Sequence, residues 1–526
     1  MQHRGEPIDV SHHLSEIAKK RPLSPLKGLQ KYWGKPGIIS LAGGLPSPEY
    51  FPFETLRADG LPSDTLAAKP KSGLSWLWNL FSSSNSTTLP ITIPKYTSDP
   101  ASINLATALQ YGMARGLPQL QDFVKKFSKV VYQPAYEGYA VLLHAGNTDG
   151  WAKVVNTLCN PGEGVLVSEW TYPSAIATMQ PYGIRPVKVG MDGEGMSSTS
   201  LREVLGGWDA EERGMPRPHV MYIVPVGQNP TGATMHAQRK KEIYDLCVEF
   251  DVIIVEDDPY YFLQEGPYAP PHKRSQMRNV MDSVSDEEYI ASLVPSFLRF
   301  DYQGRVIRLD TFSKTIAPGS RLGWYTCHPL FAERIERVAE TSTQQPCGFG
   351  QSIITSLLLN WGLPGYFRWL RGIRAQYTDR RDYLLDCFQE KFHLETCTSP
   401  MSIWDGSVSY AAYAKTSRGS DEKQRGPMFS FVPPTSGMFL WIRMHFENHP
   451  RFKDENEETL EQKLWVALAE AGLLIGPGVM FSADPPNENV KASGHFRLSF
   501  SNSENEELKK AVDIFSTVTR KFFKDI

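Results

Sequence analysis

Short runs of consecutive apolar, largely β-branched residues punctuate the middle of the chain: AVLLH (140–144), GVLVS (164–168), VMYIV (220–224), VIIVE (252–256) and VIRLD (306–310). Between them lie longer stretches with helical spacing, such as TDGWAKVVNTLC and RKKEIYDLCVEF. Strands that are apolar on both faces and alternate with helices predict a buried, mostly parallel sheet, and so an α/β fold. From Pro364-Gly365 onward, PGYFRWLRGIRAQYTDRRDYLLDCFQEKF predicts one long helix that connects the sheet domain to a smaller C-terminal domain. Residues 62–100 are rich in Ser, Thr and Pro and predict a long loop with one short helix over Leu74–Phe81. Ala414–Pro427, charged and glycine-containing, predicts a second surface insertion. No internal repeat is visible.

Composition narrows the function classes. The 526 residues are 41% apolar and 21% charged, and their 41 Gly and 39 Pro are dispersed, which excludes a disordered, collagen-like or coiled-coil chain. With 55 basic against 58 acidic side chains the net charge is -3, so no global field draws a polyanion, and nucleic acid is not an expected partner. There is no run of about 18 apolar residues, and the N-terminal segment carries Glu6, Asp9 and Glu16. A soluble, cytoplasmic protein with no membrane partner is the expectation. The six cysteines have no C-x-x-C pair, so reduced thiols are expected rather than a zinc site or a disulfide scaffold, and no metal is expected. His12-His13 is read as part of a polar arm and the Asn85-Ser86-Thr87 sequon as chance.

Ligands of open parallel sheets bind beyond the carboxyl ends of the strands. After AVLLH comes Ala145-Gly146-Asn147-Thr148-Asp149-Gly150, a glycine turn opening a helix whose free N–H groups would hold a phosphate. After GVLVS comes Glu169-Trp170-Thr171-Tyr172, which offers an aromatic ring to a flat ligand. PVGQNPTG follows VMYIV and would fix the Asn229 amide. Asp257-Asp258-Pro259-Tyr260 follows VIIVE, and Thr311-Phe312-Ser313-Lys314 follows VIRLD, with Arg321 seven residues on. Singly, each has an ordinary structural reading. Together they supply what pyridoxal phosphate requires: a lysine for its aldehyde, an acid for its pyridinium nitrogen, dipoles for its 3'-oxygen and a phosphate cradle. Arg308 is read as a strand residue answering a local acid, and Trp441 as core.

GQNPTG, EDDPYY and TFSKTIAPGSRLGW resemble the signature segments of fold-type-I, class I/II aminotransferases, which depend on pyridoxal 5'-phosphate. SLAGGLPSPEYFPF (from Ser40), ALQYGMARGLPQL (from Ala108), SGMFLW (from Ser436) and HFRLSF (from His495) are similar to the branch of fungal aromatic and 2-aminoadipate/kynurenine aminotransferases. The resemblance implies a large domain with a mostly parallel seven-stranded sheet flanked by helices, and a smaller α+β domain formed by the N- and C-terminal parts. It divides the chain into an N-terminal arm and small-domain segment (1–60), an insertion loop (61–100), the large cofactor domain (101–363) and the connecting helix with the C-terminal small domain (364–526).

The same resemblance implies roles. Lys314 is the Schiff-base lysine. Asp257 rather than Asp258 partners the pyridine nitrogen, because the family spaces that acid three residues before the tyrosine, here Tyr260. Tyr260 and Asn229 contact the 3'-oxygen, and Tyr172 stacks on the ring. Asn147, Thr148, Thr311, Ser313 and Arg321 hold the phosphate, with Tyr111 reaching in from the other subunit of a homodimer with shared active sites. Arg497 takes the substrate α-carboxylate, assisted by the Gly44 backbone and by Asn229. Asn147-Thr148 stands where relatives often have Ser-Gln, and Thr311 where serine is common; each substitution keeps a polar group. The implied activity is ping-pong transfer of an amino group between aromatic amino acids and 2-oxo acids such as 2-oxoglutarate or phenylpyruvate. A 2-aminoadipate or kynurenine aminotransferase is the alternative within the fold. From other classes come a non-catalytic cofactor-binding regulator and a lyase.

Overall fold

The structure, a computed structural model, describes residues 5–25, 32, 35–39, 41–42, 44–66, 88–274, 284–398, 402–415, 426–453, 455–484 and 494–524. The helix expected over Leu74–Phe81, the Asn85 sequon and most of the 414–427 insertion lie outside these residues. Two compact units form: residues 1–160 with 284–373, and residues 161–283 with 374–526.

In chain order the strands are β1 (Thr55–Gly60), β2 (Leu89–Pro94), β3 (Ala140–His144), β4 (Gly164–Ser168), β5 (Arg185–Val189), β6 (Met191–Asp192), β7 (Gly195–Met196), β8 (Val220–Ile223) and β9 (Ile253–Asp257). There follow β10 (Val306–Thr311), β11 (Gly323–Cys327), β12 (Phe392–Thr398), β13 (Val408–Ala414), β14 (Phe429–Phe431), β15 (Phe439–Met444), β16 (Gly476–Pro477) and β17 (His495–Ser499). Seven of them make the main sheet. All five runs singled out in the sequence are in it, and the α/β, mostly parallel expectation holds.

In the first unit the sheet runs in the order β3-β11-β10, with β11 antiparallel to both neighbours. Two features were not read from the sequence there. GWYTC, which begins at the end of a signature segment, forms strand β11. Leu89–Pro94, expected as loop, is strand β2 and pairs antiparallel with Thr55–Gly60. The reason is local: Ile91 and Ile93, two residues apart, point to one buried face and pack with Ile103, Leu105 and Leu357. The long helix spans Gly348–Lys391 and is broken at Gly362, whose φ of 61° and ψ of 179° no helix accommodates, so a continuous helix does begin next to Pro364.

In the second unit β9-β8-β4-β5 are neighbours, and every pair is parallel. A six-stranded antiparallel sheet, β12-β13-β14-β15-β17-β16, also belongs to this unit. Its core is aromatic: Phe388, Phe429 and Phe515 meet with centroids 5.3–5.9 Å apart. Trp170, Trp404, Trp441 and Phe481 make a second cluster. Trp441 is core, as expected, at 1% exposure.

Candidate active site

The first unit builds an anion cradle around a lysine. Gly146, at φ +93°, is the N-cap of the helix Asn147–Leu158 and offers no side-chain cap, so the positive end of the helix dipole lies at this turn. Arg321 closes over this turn: its Nη2 donates to Ala145 O at 3.0 Å, and its Nη1 donates to Pro318 O at 2.9 Å and reaches Ser313 Oγ at 3.4 Å. Thr311 Oγ1 lies 2.9 Å from Ser313 Oγ and accepts the Ser313 N–H at 3.1 Å, so this hydroxyl organises the turn that leaves β10. Asn147 Nδ2 donates to Leu309 O at 3.3 Å, tying the helix start to the same strand. Thr148, in the first turn, is exposed.

Lys314 is half-buried on that turn, between two fixed neighbours. Phe312 is wholly buried against Trp324, with centroids 5.0 Å apart. Thr315 is held by Trp369 Nε1 donating to its carbonyl at 2.7 Å, and its hydroxyl lies 3.2 Å from Tyr366 Oη. Below the turn, Arg308 donates to Asp310 at 2.9–3.1 Å, and Tyr132 Oη donates to the same carboxylate at 2.8 Å. That is the local acid expected to answer Arg308. Tyr111 and Gly44 stand on the surface of this unit, Tyr111 with 54% exposure.

The second unit gathers carboxylate, amide, phenols and a second arginine. Asp257, the last residue of β9, is buried and accepts a 2.5 Å hydrogen bond from the Tyr222 hydroxyl on β8. Burial, and then the Asp257 charge, push both the Tyr222 and the Tyr260 phenols well above their usual range, so both remain neutral donors. Arg497 Nη1 donates to Asn229 Oδ1 at 2.7 Å. The Arg497 guanidinium lies between two rings, Phe439 at 4.5 Å and Phe481 at 4.6 Å, which fix its plane. Its Nε is buried with no hydrogen-bond partner among the described residues, a donor that a carboxylate ligand would satisfy.

The loop carrying Asn229 is set against the SGMFLW segment by two facing glycines. A Cβ on Gly227 (φ +56°) would lie 2.6 Å from the Cα of Gly437 (φ +88°), so only glycine allows the approach. Tyr172 caps the helix Pro173–Met179, and the Thr171 N–H donates to Phe481 O at 2.9 Å, linking Tyr172's segment to the ring beside Arg497.

Of the expected residues, the structure thus groups Asn147, Thr311, Ser313, Lys314 and Arg321 in one unit, and Asn229, Asp257, Tyr260 and Arg497 in the other. Tyr222, Phe439 and Phe481 were not foreseen. For Tyr222 a signal existed: it stands opposite Val255 in the parallel register, and Asp257, two residues on, shares that face.

The family of class I and II aminotransferases matches residues 103–515. The chain belongs to this family. A class I and II aminotransferase uses pyridoxal 5'-phosphate, and the residues present fit it: a helix N-terminus, an arginine and two hydroxyls for a dianion, a lysine on the adjoining turn, and a buried carboxylate for a ring N–H. The aminotransferase is 35% identical over 523 residues to an aromatic amino acid aminotransferase of Schizosaccharomyces pombe, covering 99% of each chain. It is 32% identical over 497 residues to an L-tyrosine:2-oxoglutarate aminotransferase of Serpula lacrymans, covering 91% of this chain and 86% of the relative. The crystal structure of the aminotransferase Aro8 from Candida albicans superposes with a TM-score of 0.83 at 33% identity, over 99% of both chains. No described helix is long and apolar enough to cross a membrane, and the described cysteines carry no disulfide.

Proposed function

We propose that this chain is an aromatic amino acid aminotransferase that passes the amino group of phenylalanine, tyrosine or tryptophan to a 2-oxo acid such as 2-oxoglutarate or phenylpyruvate. The full-length likeness to the aromatic aminotransferase of Schizosaccharomyces pombe carries the reading, and the chemistry of the two residue groups supports it. Bound pyridoxal 5'-phosphate would supply an aldehyde for the incoming amine and a ring that spreads negative charge from the substrate α-carbon.

The chain's own residues would do the rest. Asn147, Thr148, Thr311, Ser313 and Arg321 bind the phosphate, joined by Tyr111 of a second copy. Tyr172 covers one ring face, while Asn229 and Tyr260 donate to the 3'-oxygen. Asp257 holds the proton on the ring nitrogen through a charge-assisted bond. Arg497 grips the α-carboxylate with its planar fork, with help from the Gly44 backbone, and so orients the Cα–H bond. Lys314 Nζ would take the α-proton and return it, a transfer of the kind that contributes roughly 10²–10⁴-fold.

In functional terms residues 101–363 form the cofactor domain, 1–60 and 364–526 the small domain, and 61–100 an insertion. We also propose a cytoplasmic homodimer. The surface positions of Ile39, Leu41 and Tyr50 in the first unit, exposed at 89%, 92% and 84%, support a second copy as their cover. Half-reactions monitored by the cofactor's absorbance against phenylalanine, tyrosine, tryptophan, kynurenine, 2-aminoadipate, leucine and aspartate test the reading. The aromatic three should react fastest. Fastest reaction with 2-aminoadipate, kynurenine or aspartate would refute the substrate assignment, and turnover without an acceptor would mark a lyase.

A further inference from the structure

The role of Asp257 depends on one property, that it stays ionised and correctly oriented in a place where burial favours the neutral acid. It is 6% exposed, at the end of a strand whose five residues are all buried. The Tyr222 hydroxyl, 2.5 Å from Asp257 Oδ2, opposes this by donating to the charged carboxylate. The arrangement follows from register. Tyr222 pairs with Val255 across β8 and β9, so Asp257 lies diagonally across on the same face, within reach of a long aromatic side chain. Tyr222 itself is 1% exposed, so its ring is enclosed by the core.

We propose that Tyr222 is a positioning residue for the cofactor's ring nitrogen: by donating to Asp257 Oδ2 it orients that carboxylate and keeps it the ionised partner of a pyridinium N–H. This rests on the aminotransferase reading above and assigns a function to a residue outside the signature segments. A carboxylate has about four acceptor positions, so the phenol and a ring N–H can bond to it together. A hydrogen bond to the charged form lowers a carboxylate's affinity for a proton. Without it, the proton shared between Asp257 and the ring nitrogen moves toward the acid, and the ring is no longer held cationic. Tyr222 can act in this way across the working pH range because burial and the neighbouring charge keep its phenol protonated.

The test uses the full-length protein loaded with pyridoxal phosphate carrying 15N at the ring nitrogen, read by NMR, with cofactor affinity measured by titrating the apoprotein. The wild type should show a pyridinium-like resonance. Tyr222→Phe should move it toward the unprotonated position at the same pH and raise the cofactor Kd roughly tenfold. In an Asp257→Asn background the same substitution should move neither quantity further, since the two residues act as one unit. If the wild type takes up no cofactor, the aminotransferase reading falls and this inference with it. If the wild-type resonance is pyridinium-like and Tyr222→Phe leaves it in place, whatever its effect on melting temperature, Tyr222 is a packing residue and this inference alone is overturned. An equal effect of Tyr222→Phe with and without Asp257 overturns it too.

Discussion

At the scale of single residues, Arg497 shows how packing converts a charge into a directional tool. A lone guanidinium on a strand sweeps a wide arc. Here one nitrogen is committed to Asn229 Oδ1 at 2.7 Å, and two phenyl rings flank the group at 4.5 and 4.6 Å. Lysine in its place would keep the charge, but a single ammonium cannot bond to Asn229 and grip both oxygens of a carboxylate in one plane. Arg497→Lys should therefore lose about 1.5–3 kcal/mol of transition-state stabilisation, a roughly 10- to 150-fold fall in kcat/KM. Steady-state kinetics with phenylalanine check this. A kcat/KM within twofold of wild type would mean that Arg497 does not hold the α-carboxylate. Much of this group could be read in the sequence, because Asp257, Asn229 and Arg497 sit in compact local motifs. The Phe481 ring could not be. It is 16 residues from Arg497 in sequence and reaches it only because β16 pairs with β17, a contact that no local pattern encodes.

Elements, rather than residues, set the phosphate cradle. Helix Asn147–Leu158 begins where it does because Gly146 takes φ +93° and ψ 157°, a backbone region almost closed to residues with a Cβ. A Cβ there would also sit 2.1 Å from Arg321 Nη2. The arginine tip can swing aside, but only by leaving the turn it closes over. Gly146→Ala should thus cost roughly 1–3 kcal/mol in backbone strain and weaken cofactor binding, through displacement of Arg321. A thermal melt and a cofactor titration of the apoprotein measure the two effects separately. A lower melting temperature with unchanged cofactor affinity would show that Arg321 is not a phosphate ligand. Strands followed the same logic of element over residue. The runs AVLLH, GVLVS, VMYIV, VIIVE and VIRLD were legible because burial on both faces leaves no polar interruption. Leu89–Pro94 was not, since this strand of a two-stranded sheet buries one face only, and its prolines and threonine read as loop.

Over the whole molecule, buried ionisable groups set the pH window of stability. His144 is 2% exposed, and burial holds its pKa down to about 3, from 6.5 when exposed. The folded chain therefore refuses a proton that the unfolded chain accepts, and stability is lost as pH falls below about 6.5. On the alkaline side the sign reverses. Burial raises Glu265 to about 8 and Glu461 to about 7, from 4.5, with Arg381 and Arg374 only partly opposing it at Glu265. These carboxyls keep protons in the folded state that the unfolded chain has released, so their contribution is complete below 4.5 and falls as pH rises through 7 and 8. Between roughly 4.5 and 6.5 the histidine and the carboxyls pull in opposite directions; above 6.5 only the carboxyls act. The melting temperature should accordingly fall from pH 6.5 to pH 8. Glu265→Gln, which keeps the shape and removes the titration, should flatten that fall and be about 2 kcal/mol more stable, relative to wild type, at pH 8 than at pH 6.5. Differential scanning calorimetry of both proteins at the two pH values decides the matter: parallel curves for wild type and variant would show that Glu265 is already ionised in the folded chain.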